Sequence, residues 1–166
     1  MRGGYFISDD FLEKEADMSS TLDEEKIRTL AKALDDAVEK HNIEELVSYF
    51  SEKCEIEFLG IKLTGHEGLK KALGWMFEYL KEIRLIPITI IIQGNIFFEE
   101  FTVRAKIRAG REIVVKQAEV LEYGNGYKVE ILRLYFDRLE LAPAFSANFL
   151  DRILIDRITK VSLKGL

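Results

Sequence analysis

The stretch NIFFEEFTVRAKI, Asn95 to Ile107, alternates along its whole length. Phe97, Phe101, Val103, Ala105 and Ile107 share one parity with Glu99, while Glu100, Thr102, Arg104 and Lys106 take the other. A period of two sustained this far specifies a β-strand with one buried face. Long neighbours are needed to pair with it, and the flanking sequence supplies them. Leu85 to Gln93 is β-branched and rich in isoleucine, and Glu112 to Tyr123 and Tyr127 to Arg138 alternate again. Turn residues separate the runs at Gly94-Asn95, Ala109-Gly110 and Gly124-Asn125-Gly126, so successive antiparallel hairpins are the simplest wiring. Pro87 cannot donate to a ladder and predicts a strand end or an edge position.

Upstream the period becomes helical. Thr21 and Glu24 form a capping box ahead of Ile27, Leu30, Ala31, Leu34 and Val38, which predicts an amphipathic helix ending near His41. Asn42 with Glu45 repeats the pattern before Ile43, Leu46, Val47 and Phe50. CEIEFLG, Cys54 to Gly60, then reads as a short strand with Cys54, Ile56 and Phe58 inward and Glu57 outward. Thr64 with Glu67 caps a third helix carrying Leu69, Ala72, Leu73, Met76, Leu80 and Ile83, widened by Trp75, Phe77 and Tyr79. After Pro143, Phe149, Leu150, Ile153, Leu154, Ile158 and Val161 predict a terminal helix. The expected organisation is an extension over 1–20, an α+β domain over 21–141 in which helices cover a strongly curved, mostly antiparallel sheet, and a helical extension over 142–166.

At 166 residues, 48% hydrophobic and 32% charged, the chain fits one domain with a real core. A net charge of −5 with dispersed lysines and arginines argues against nucleic acid. The apolar runs are far shorter than the roughly 20 residues that span a bilayer, so no membrane partner is expected. The acidic N-terminus lacks a secretory pattern, which makes cytoplasmic residence the expectation. Cys54 has no cysteine to pair with, and His41 and His66 complete no zinc spacing. Neither a metal nor an organic cofactor is implied.

The element order, GIKLTGHEGLKKAL (Gly60 to Leu73) and VEILRLYFDRLEL (Val129 to Leu141) together resemble the nuclear transport factor 2-like superfamily, and within it the SnoaL-like group, over about residues 21–141. The matching features are the small and acidic start of the third helix at Gly65, His66, Glu67 and Gly68, and the aromatic-aromatic-acid ending at Tyr135, Phe136 and Asp137. This resemblance implies a cone whose concave sheet and covering helices enclose an apolar pocket, commonly in a homodimer. Polyketide cyclases, ketosteroid isomerases, scytalone dehydratase, limonene epoxide hydrolase and non-catalytic modules share that fold, so it does not settle activity.

Acid/base catalysis in such a pocket needs a carboxyl group tuned by apolar surroundings. Glu99, on an aromatic strand face, is the candidate; the plainer alternative keeps it solvated at the sheet rim or paired with an arginine such as Arg84. Limonene epoxide hydrolases keep an aspartate in the last strand where this chain has Leu134, and the matching arginine and aspartate are missing near Glu99 and Phe101. That mechanism is disfavoured. The ketosteroid isomerase base would fall at Phe58, one position from Glu57, and a one-residue slip reverses the face. For Arg133, Tyr135 and Asp137, a polar site is weighed against a cross-strand ladder on the outer face or a dimer interface. His66 is assigned to the helix start. The expected ligand is a hydrophobic small molecule contacting Phe58, Trp75, Tyr79, Phe97, Phe101, Leu134 and Phe136; an enzyme of this type would be a cofactor-independent isomerase, cyclase or dehydratase. The rival is a non-catalytic dimerising module with a filled core.

Overall fold

The structure, a computed structural model, describes residues 22–58, 60–107, 110–137, 141–142, 149–162 and 164. The expectations for residues 1–20, for Thr21 and for Pro143 lie outside them. Helix α1 spans Glu24–Glu39 and starts at Asp23, whose carboxylate accepts from the backbone N–H groups of Glu25 and Lys26 at 3.0 and 3.4 Å. Asp23 is therefore the cap. Its apolar stripe buries Ile27, Ala31, Leu34 and Ala37. Helix α2, Ile43–Ser48, is capped by Asn42 as expected: Asn42 Oδ1 accepts from the Glu45 N–H at 3.3 Å, and its amide donates to Glu45 Oε2 at 2.8 Å.

Strand β1, Phe50–Phe58, begins four residues earlier than the sequence suggests and buries Phe50, Cys54 and Ile56. Glu57 is half-buried, not exposed. A short strand β2, Ile61–Thr64, pairs antiparallel with it. Helix α3, Gly65–Tyr79, follows without a side-chain cap from Thr64, so the expected capping box is not formed. Gly65 has φ +67°, and a Cβ there would meet the Glu52 carbonyl at 3.0 Å, which explains glycine at this turn. His66 Nε2 lies 3.2 Å from the Phe50 carbonyl oxygen and ties the helix start to β1.

The chain leaves α3 earlier than helical spacing predicts. Leu80 and Ile83 belong to strand β3, Leu80–Gln93, because pairing with strand β4, Ile96–Ile107, extends down to Leu80↔Ile107. Burial of Ile83 against that ladder overrides the local pattern. Pro87 lies at a register shift on this edge strand, where its missing donor is tolerated. Strands β5, Glu112–Tyr123, and β6, Val129–Phe136, complete an antiparallel meander. The sheet order is β2-β1-β6-β5-β4-β3, with β1 parallel to β6, so the first strand closes against the last. This is the expected α+β cone: a curled, unclosed sheet with helices on its inner face. Helix α4, Phe149–Ser162, follows β6 and leaves Ile153, Leu154, Ile158 and Val161 exposed.

Contacts at both ends fasten α1 in place. At its start, the Asp23 N–H donates to the Tyr127 hydroxyl at 3.1 Å, and the Lys26 ammonium sits 3.8 Å from the Tyr127 ring centroid. At its end, Glu39 accepts from the Leu85 N–H at 2.8 Å and pairs with Arg84. Arg84 is thus engaged by Glu39, not by Glu99.

Candidate functional site

Alternation along β4 holds without a break. Phe97, Glu99, Phe101, Val103, Ala105 and Ile107 are all buried on the inner face. Glu99 is only 2% exposed, which removes the solvated-rim alternative. The β4–β5 register sets Glu99 directly opposite Glu119, and the next pair on that line is Glu119↔Leu134. One row across the inner face therefore reads Ile90, Glu99, Glu119, Leu134. Leu134 is apolar, and an acid stands beside it on the neighbouring strand.

Helix α1 brings a third carboxyl group to this row. Asp35 lies in the turn between Leu34 and Val38, and one oxygen each of Asp35, Glu99 and Glu119 fall within 4.8 Å of one another. Two full charges at that separation repel by about 3 kcal/mol even at an effective dielectric constant of about 20. The group meets this by holding protons. Burial, with the neighbouring carboxylates of Glu99, Asp36 and Glu39 adding, pushes Asp35 up to about 8. Burial pushes Glu99 up to about 7. Glu119, wholly enclosed and facing both other acids, is held well above the usual carboxylate range. All three acids hold their protons more tightly than an ordinary carboxylate does, and the set behaves as one coupled acid. Glu99 Oε1 and the Tyr123 hydroxyl are buried without a hydrogen-bond partner. Burial and the charges of Glu119 and Asp35 raise the Tyr123 phenol as well.

Two of the three acids border a cavity of about 330 Å³ between α1, α3 and the inner sheet face. Asp35 and Glu119 line it together with Gln117; the rest of its described wall is apolar. Glu99 does not line the cavity and stands beside Glu119 across the β4–β5 ladder, which corrects the expectation that it meets the pocket directly. Of the residues expected to touch a ligand, Trp75, Tyr79, Phe101, Leu134 and Phe136 line the cavity. Phe97 does not; it is 2% exposed and packed in the core. The Phe58 side chain lies outside the described residues. Trp75 and Tyr79 form a tilted pair 5.3 Å apart and are partly exposed. Leu141 and Ala142, beyond the last strand, also wall the cavity.

Arg133 and Tyr135 stand on the outer face. Arg133 pairs with Glu122 across the β5–β6 ladder, and Tyr135 is 50% exposed, so the outer-ladder reading accounts for both. Asp137 follows the end of β6.

A family model described as a SnoaL-like domain matches residues 31–131. No curated protein matches the chain in sequence. Among solved structures, an NTF2-like protein of unknown function from Burkholderia pseudomallei superposes with a TM-score of 0.67 at 18% identity, covering 73% of this chain and 98% of that one. A proposed SnoaL-like polyketide cyclase from Shewanella denitrificans gives 0.64 at 12% identity, over 70% and 94%. TerC, co-crystallised with polyporic acid, gives 0.61 at 21% identity, over 78% and 98%. At these identities the likeness to each structure is one of fold. With the family match covering most of the chain, the conclusion is that this protein belongs to the SnoaL-like domain family and has its NTF2-like cone fold.

Proposed function

We propose that this protein binds a hydrophobic small molecule in the cone and moves protons on it, as an isomerase, cyclase or dehydratase without metal or organic cofactor. The observation that carries the reading is the acid cluster Asp35, Glu99 and Glu119, two of whose members, Asp35 and Glu119, stand in the wall of an otherwise apolar cavity. Buried carboxyl groups whose proton affinity lies near neutrality suit general acid/base work. Asp35 and Glu119, which reach the cavity, act as the catalytic pair; Glu99 is a positioning residue that sets the charge they share. A cavity of about 330 Å³ falls within the size range of small-molecule sites and speaks against a filled core. The relatives named above, one a proposed polyketide cyclase and one crystallised with polyporic acid, lend support from the same fold.

Proton abstraction beside a carbonyl tests this directly. In deuterated buffer the protein is expected to accelerate exchange at the activated carbon of β-tetralone, followed by mass spectrometry. Absence of exchange, with no change in the fluorescence of Trp75, the sole tryptophan, sinks the reading.

A homodimer through the outer sheet face is proposed on separate grounds. Ile91, Val114 and Tyr135 are 55%, 56% and 50% exposed on that face, with Ile86 and Ile96 beside them, and apolar patches of this kind mark interfaces. Light scattering is expected to report a dimer that Val114→Glu with Tyr135→Glu converts to monomer; a monomeric wild type defeats the proposal. No helix among the described residues is long and apolar enough to cross a membrane. Cytoplasmic residence remains part of the proposal.

A further inference from the structure

We propose that the ligand of this cavity is a hydrophobic amine carrying one positive charge, seated against Asp35 and Glu119. The inference rests on the pocket reading above and adds the chemical class of the ligand. Its first ground is the wall. Among the described residues no lysine, arginine or histidine lines the cavity, whereas two carboxyl groups do. An anionic ligand would meet acids and no counter-charge; a cation would meet only partners. The second ground is independent of the wall. Glu99 offers an oxygen within 4.8 Å of oxygens of both Asp35 and Glu119, and its Oε1, on a residue 2% exposed, has no hydrogen-bond partner. Buried oxygens in that condition favour a ligand that supplies a donor, and an ammonium N–H is a charge-assisted one.

An ammonium group favours the ionised form of the carboxyl group it meets, so one positive charge seated here offsets the burial and repulsion that hold protons on Asp35 and Glu119. A divalent metal ion bound by ionised oxygens would have to displace more of those protons. The rest of the wall asks for an apolar body, and the faces of Trp75 and Tyr79 are compatible with a nearby cation.

The fluorescence of Trp75 provides the test. Three probes of similar size are titrated into the full chain near neutral pH: N,N-dimethylbenzylamine, its uncharged carbon analogue isobutylbenzene, and phenylacetate. The amine is expected to bind at least about tenfold more tightly than the hydrocarbon, the gain of one charge-assisted hydrogen bond. Phenylacetate is expected not to bind. In the Asp35→Asn, Glu119→Gln double variant the amine should fall to the level of isobutylbenzene, whose retained binding shows an intact fold. Equal binding of amine and hydrocarbon, binding of phenylacetate, or tighter binding of Mn²⁺ overturns the amine assignment and leaves the pocket reading standing. Failure of all three organic probes overturns both.

Discussion

Raising the pH from about 5 to about 9 lowers the unfolding free energy contributed by the buried acids by on the order of 5 kcal/mol. The sign follows from the direction of the shifts. Asp35, Glu99 and Glu119 all bind protons more tightly folded than unfolded, so their contribution is fully present below the ordinary carboxylate value. It is lost as pH rises through about 7 for Glu99 and about 8 for Asp35. Glu99 alone, moved from 4.5 to about 7, accounts for about 3 kcal/mol. Because the three titrate together, their contributions do not simply add. The measurement is therefore a difference: urea unfolding across pH for the wild type against Asp35→Asn, Glu99→Gln, Glu119→Gln. The variant should be the more stable above about pH 8 and lack the alkaline decline. Parallel profiles would mean that the three acids are solvated in the folded protein.

In the carbonyl exchange reaction, Glu119→Gln and Asp35→Asn should each lower the rate by about 10²- to 10⁴-fold, the usual worth of a positioned acid or base. Each amide keeps the shape of the group it replaces and removes the transferable proton. Glu99→Gln should behave differently. It deletes the charge facing Glu119 without touching the cavity, so the pH of maximum rate should move down as the remaining acids ionise more easily. A Glu99→Gln variant as inactive as Glu119→Gln, with an unmoved pH profile, would place Glu99 among the catalytic residues. Uniformly mild effects at all three positions would remove the acid/base mechanism.

The sheet was legible because alternation in Asn95–Ile107 is uninterrupted, and the same parity located Glu99. Its two partners were harder to see. Glu119 lies in a run that also carries Lys116, Gln117 and Glu122, so polar residues fall on both parities and neither face stands out. Asp35 is followed by Asp36 and looks like half of a solvated pair; only the packing of α1 shows that one faces the sheet. What joins the three is register, and a one-residue shift between β4 and β5 would have sent Glu119 to the outer face. Strand β2 escaped notice because four residues carry too little periodicity, and Leu80 and Ile83 satisfied helical spacing by coincidence with α3.

Leu141 and Ala142 form part of the cavity wall, although they follow the last strand. The low-dielectric surroundings that keep protons on the three acids are therefore completed from outside the sheet and its covering helices. Shaving back that short segment would admit water, let the acids ionise as ordinary surface groups do, and retune the chemistry of the site while every acidic residue stayed in place. Sequence changes just past the cone can adjust acidity as effectively as changes within it.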